Sequence, residues 1–132
     1  MTPVPVFLGT VVALTLINGW LSARIGKLRG RFKVSVGDGG HEPLLRAMRA
    51  QANLIETAPF FLFLVLGLEL AHVNSIALAI AAALFVLARI SHGIGMEGGE
   101  KARWRMYGMM GTSLLTVVLI AWALFCLVRS FA

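Results

Sequence analysis

Apolar residues along this chain come in long blocks separated by two polar, basic segments. The first block runs from about Val4 to Leu21, with Pro3 and Pro5 suited to a helix's first turn. A second begins near His41-Glu42-Pro43 and continues to Leu70, polar on one side at first and almost wholly apolar after Pro59. Pro59 removes a backbone donor and predicts a kink there. The third block spans about Ser75 to His92 and the fourth about Arg105 to Val128. Each is long enough for a membrane helix, which needs about 20 apolar residues. The pattern predicts spans at 4–21, 43–70, 75–92 and 105–128 in one domain covering 1–132. Between them lie a basic loop, Ser22 to Gly40, a short link, Ala71 to Asn74, and a second loop, Gly93 to Lys101.

Composition narrows the class. Of 132 residues, 58% are apolar and 14% charged, against about 25% charged in an ordinary soluble domain. Mean hydropathy is +0.84. Disorder is excluded, and a soluble globule could not cover so much apolar surface. The fold class expected is all-α, an integral membrane four-helix bundle. The first block has no basic n-region and no small-residue cleavage site, so it is read as a retained span.

Charge sets the orientation. The net charge is +6. In this apolar setting it points to an anionic leaflet or an anionic ligand, with no nucleic acid as partner. Of the twelve Lys and Arg, five fall in the first loop and three in or just after the second, while the 71–74 link has none. The positive-inside rule puts both basic loops in the cytoplasm and both chain ends outside. Cys126 is the single cysteine and is read as packing. His41, His72 and His92 are dispersed, so no metal site is expected. Glu69 and His72 are expected at the outer interface, facing water.

Some polar residues need a reason to be where they are. A charged side chain in a span costs about 2.5–3.5 kcal/mol on insertion scales. Arg46, Arg49, Asn53 and Glu56 fall within an arc of about 80° on one helix face. This stripe must meet another helix or a wet pocket. It is either an interhelical lock, Arg49 with a neighbour's Glu56 and Asn53 bridging, or a ligand site for a zwitterion. Arg89 and His92, three apart, share a face of the third span. Arg89 either joins the site or snorkels to the interface. Arg103, Trp104, Arg105 and Tyr107 open the fourth span, as a belt of charge and aromatic rings or as an anion clamp. Arg103 and Arg105 project about 200° apart, so one of the two faces the pocket.

Arg49-Ala50-Gln51-Ala52-Asn53-Leu54-Ile55-Glu56 followed by Pro59 resembles the R-A-x-x-N-x-x-E-x-x-P signature of the MAPEG superfamily, the membrane-associated proteins in eicosanoid and glutathione metabolism. Length, four spans, a basic first loop and Ala88-Arg89 agree with it. The 103–108 stretch is most similar to the small bacterial branch.

The resemblance implies a homotrimer in a bacterial inner membrane, with periplasmic termini. Glutathione would serve as co-substrate between subunits, and a hydrophobic small molecule or lipid would enter from the bilayer. It assigns glutathione contacts to Arg49, Asn53, Glu56 and Arg89, with Arg46, His92 and Tyr107 beside them. The thiolate-stabilising arginine falls on Arg103 by spacing from Arg89 or on Arg105 by distance to Gly108, the first slightly favoured. Two glutathione-binding tyrosines of eicosanoid-forming members fall on His92 and Met96. The function expected is a membrane glutathione transferase or peroxidase on lipophilic electrophiles; the alternative is a non-catalytic lipid-binding or scaffold protein. A small multidrug exporter would want an acidic residue in the first span, and Val4 to Leu21 has no charge.

Overall fold

The structure is a computed structural model and describes residues 4–131. Four helices follow one another: α1 (Pro5–Phe32), α2 (Glu42–Leu70), α3 (Ser75–Gly95) and α4 (Ala102–Ser130), with a 3₁₀ turn at Gly99–Lys101 before α4. All four are long and apolar enough to cross a membrane. The protein is an all-α membrane four-helix bundle.

Two segments expected as loops are largely helical. The Ser22 to Gly40 segment stays in α1 as far as Phe32, and α1 ends at Lys33 in a left-handed conformation, φ 55°. The reason is a buried stripe that outlasts the hydropathy signal. Leu21 and Ile25 are buried, and Leu28 and Phe32 continue at helical spacing to pack around Ile25, Leu44 and Ala47. The cations between them are good helix formers on the outer faces. The Gly93 to Lys101 segment likewise keeps α3 going to Gly95. At Pro59, α2 continues unbroken.

The core lies along the helix axes. Phe61 of α2 and Phe85 of α3 stack face to face with ring centres 3.6 Å apart. Leu14, Leu21, Leu54, Val65, Leu78 and Leu119 close around them. Cys126 packs at the edge of this cluster. The outer face of α4, with Leu114, Val117 and Phe125, is exposed. An apolar face of this kind suits hydrocarbon or another subunit.

Each end of the bundle is tied by a polar contact between helices. At one end, Arg24 of α1 donates to the Gly93 carbonyl at 2.9 Å. The basic ends of α1 and α3 therefore meet, beside the start of α4. At the other end, Glu69 does not simply face water, as its position had suggested. Its two carboxylate oxygens accept the Val6 and Phe7 backbone N–H groups, each at 2.8 Å. These are orphan donors of the first turn of α1, where Pro5 has none. A carboxylate there also meets the positive end of the helix dipole. Glu69→Ala is expected to cost about 1–2 kcal/mol, read as a lower thermal midpoint in detergent, with Glu69→Gln intermediate. His72 is exposed in the α2–α3 turn, with φ 53°.

Candidate functional site

The polar stripe of α2 is divided among three places. Arg46 lies nearest the basic end. Its Nε and Nη2 donate to Glu42 Oε1 at 2.9 and 2.5 Å. It borders a hollow of about 310 Å³ with Gly95, Gly98 and Arg105. Gly98 has φ +86°, and a Cβ there would lie 1.8 Å from Arg46 Nη1. The backbone at Gly98, φ 86° and ψ −165°, is one that glycine alone adopts readily, and the Arg46 guanidinium occupies the space beside it. Glu56, at the deep end, is exposed. It borders a mostly apolar groove of about 750 Å³ between α2 and α4, with Phe60, Phe63 and Thr112.

Between them, Arg49 and Asn53 border an open-sided hollow of about 550 Å³ with His92, Met96, Arg105, Met106 and Met109. Residues 105, 106 and 109 lie within an arc of about 100° on α4, while 103 and 107 lie outside it, each about 160° from 105. Arg103 lies outside the hollow, its guanidinium 6.0 Å from the Trp104 ring centre. Tyr107 is also outside, edge-on to Trp104 at 6.0 Å. Met96 and Arg105 border both this hollow and the one beside Arg46, so the two adjoin.

Arg89 does not snorkel. It is 1% exposed. Its Nη2 donates to Asn53 Oδ1 at 2.8 Å and lies 3.3 Å from His92 Nδ1, and its Nη1 donates to Thr112 Oγ1 at 3.3 Å. No carboxylate pairs with it among the described residues. Its Nε has no partner there either. Arg89 therefore sits behind Asn53, one layer back from the hollow.

The close approach of α3 and α4 makes this cluster possible. A Cβ on Gly108 would lie 2.5 Å from the His92 nitrogen and 2.6 Å from the Ala88 oxygen. Small residues at a membrane helix crossing let the backbones meet in this way. Thr112, one turn beyond Gly108, is thereby brought to Arg89. Thus Arg49, Asn53, His92 and Arg105 come together around one hollow, with Arg89 behind them. Arg46, Glu56, Arg103 and Tyr107 stand apart.

Sequence reasoning missed Thr112, Arg24 and Glu97. Thr112 looks like any helical threonine; its signal is Gly108 and Gly111 just before it. Glu97 ties the α3–α4 connection to α1. It accepts from Lys101 Nζ, and one of its oxygens lies 3.7 Å from Arg24 Nη1. The Lys101 hydrogen bond lowers the Glu97 carboxyl from its ordinary range; partial burial opposes this, and the Arg24 and Lys101 charges add to it. A lowered value in the folded chain means a contribution complete above the ordinary glutamate range and lost as pH falls through the folded value. The protection of the 96–99 amides, after the intrinsic slowing of exchange in acid is divided out, is therefore expected to fall on acidification, and to lose that pH dependence in Glu97→Gln.

Comparison with known proteins adds the lineage. The chain is 32% identical over 95 residues to Inner membrane protein YecN of Escherichia coli (strain K12), covering 70% of this chain and 72% of that protein. The same figures hold for YecN of Escherichia coli O6:H1 (strain CFT073). The model of the MAPEG family matches residues 7–125, from the first turn of α1 to the last turns of α4. A match that runs through all four helices and every residue around the hollow means that the chain belongs to the MAPEG family.

Proposed function

We propose that the protein is a membrane-bound glutathione transferase, or a glutathione-dependent peroxidase, acting on lipophilic electrophiles at the hollow between α2, α3 and α4. The observation that carries this reading is a pair of guanidinium groups, Arg49 and Arg105, at one open hollow beside a polar amide and an imidazole. Among the described residues neither arginine has a carboxylate partner. Two cations left free at membrane depth fit an anionic guest.

In this reading Arg49 and the Asn53 amide take a glutathione carboxylate, and Arg105 faces the thiol. A free thiol has a pKa of about 8.5, so little is thiolate at neutral pH. A guanidinium within hydrogen-bond reach favours the anion. Arginine remains protonated, so it stabilises charge and does not act as a base. The thiolate sulfur then bonds to an electrophilic carbon, and the leaving group departs with the electron pair. With a lipid hydroperoxide it attacks the terminal oxygen instead; the O–O bond breaks, and the alkoxide leaves as the alcohol on taking up, through water, the proton that the thiol released. A second glutathione then converts the sulfenic acid to disulfide and water. The bilayer concentrates the apolar substrate beside the site.

The assembly in this proposal is a homotrimer in a bacterial inner membrane, the setting that the name of the Escherichia coli relative gives for that protein. The basic ends face the cytoplasm. Arg49 and Glu56 are both exposed on the single chain, and Glu56, at the middle of α2, would cost about 2.5–3.5 kcal/mol against lipid. A second copy laid over α2 would cover them.

Conjugation of a chlorinated nitroaromatic by the purified protein tests the reading, together with thiolate absorbance on adding glutathione. Turnover above the uncatalysed rate is expected. The absence of both turnover and thiolate would sink the proposal. The large apolar groove beside Glu56 favours a second reading, a non-catalytic lipid-binding protein. Thermal stabilisation by lipids and none by glutathione would mark it.

A further inference from the structure

Arg89 acts on the hollow without bordering it. Its contacts are one amide oxygen, one hydroxyl and one imidazole nitrogen. Arginine has donors and no acceptor, so each neighbour must turn a lone pair towards it. Asn53 gives its carbonyl oxygen, which leaves its NH₂ group for the side away from Arg89. His92 gives Nδ1. A proton on that nitrogen would set N–H against N–H at 3.3 Å, and protonation of both ring nitrogens would add a second cation there. The contact therefore favours the tautomer with Nδ1 bare and the proton on Nε2. The two groups that Arg89 touches from behind both border the hollow.

We propose that Arg89 is a positioning residue that makes the hollow a site of donors alone. Arg49 and Arg105 offer only N–H groups. Asn53 is held with its NH₂ forward, and His92 is held as the Nε2–H tautomer. A guest is gripped through groups that only accept, a carboxylate or a thiolate, and a protonated amine is refused. This deepens the glutathione reading and rests on it for the identity of the guest. The acidic groups of glutathione enter the hollow, and its ammonium group is left outside. Glu56, the carboxylate of the stripe, borders the neighbouring groove and not this hollow.

Nitrogen-15 spectra of the full chain, histidine-labelled, in micelles without ligand test the arrangement directly. His92→Gln identifies the His92 signals. The expected spectrum has a bare Nδ1 and a protonated Nε2 for His92. In Arg89→Gln the partner can accept as well as donate, so both nitrogens are expected to shift towards the averaged values of a tautomer mixture. Arg89→Lys, a donor only, should restore the wild-type pattern. An Nδ1–H tautomer in the wild type overturns the proposal even if the variants do not fold. So does an Arg89→Gln variant that folds with the His92 signals unmoved.

Selectivity is read with two simple probes, octanoate and octylamine. Octanoate is expected to shift the His92 signals of the histidine-labelled chain and the Asn53 side-chain signals of an asparagine-labelled one, and octylamine to leave both in place. Equal shifts with the amine overturn the proposal. Glutathione is added last. A bare Nδ1 and an octanoate response with no glutathione binding would remove the glutathione reading while upholding the donor arrangement.

Discussion

Arg105→Ala is expected to lower conjugation turnover by about 10²-fold, while Arg103→Ala leaves it within about twofold of wild type. The two residues differ by half a turn of α4, and that half turn decides the difference. Arg105 borders the hollow with Arg49, Asn53 and His92. Arg103 is exposed and lies against the Trp104 ring on the other side of the helix. Spacing along the sequence slightly favoured Arg103, because counting residues from Arg89 assumes a connection of fixed length. The face that α4 presents is set instead by Gly108 against α3. Arg105→Lys is expected to fall between, since an ammonium keeps the charge and loses the planar fork. Rates should be measured at saturating and at low glutathione. Loss in Arg103→Ala and none in Arg105→Ala would reverse the assignment.

The second large effect concerns packing. Gly108→Ala is expected to destabilise the fold by about 3 kcal/mol, at the upper end of the range for overpacking. Its new methyl group would meet main-chain atoms of His92 and Ala88 at 2.5–2.7 Å, and main chain cannot swing aside as a side chain does. The helices must part, which also opens the 3.3 Å contact of Arg89 with Thr112. Two other glycines serve as comparisons. Gly111→Ala would bring its methyl 3.1 Å from the Ala88 Cβ, a milder approach, and Gly19→Ala meets nothing within 4 Å. The expected order of thermal midpoints in detergent is Gly19→Ala at or above wild type, then Gly111→Ala, then Gly108→Ala well below.

The four spans were legible because twenty apolar residues in a row have few other uses. The right family was legible in Arg49, Asn53, Glu56 and Pro59, whose spacing survives on one helix. What failed to show was anything that depends on a second helix. The α1 tail read as a loop because Arg24, Lys27, Arg29 and Arg31 lower the local hydropathy, although Ile25, Leu28 and Phe32 keep the helical stripe. Glu69 read as a surface acid because its partners, two backbone N–H groups of α1, have no signature of their own. Arg46, Arg49, Asn53 and Glu56 read as one row, which they are on α2. Their different fates come from Gly98, Arg89 and the outer face of α4.

The length of α1 has a further consequence for how the protein sits in its bilayer. Its 28 residues rise about 42 Å, against a hydrocarbon layer of about 30 Å. The surplus is the part crowded with cations, which phosphate headgroups will hold at one depth. Variation in bilayer thickness must therefore be absorbed at the opposite, sparsely charged end, near Glu69, Arg129 and the α2–α3 turn. The Arg49–Arg105 hollow lies near the anchored end and is insulated from such mismatch, so its chemistry should vary little between thin and thick membranes.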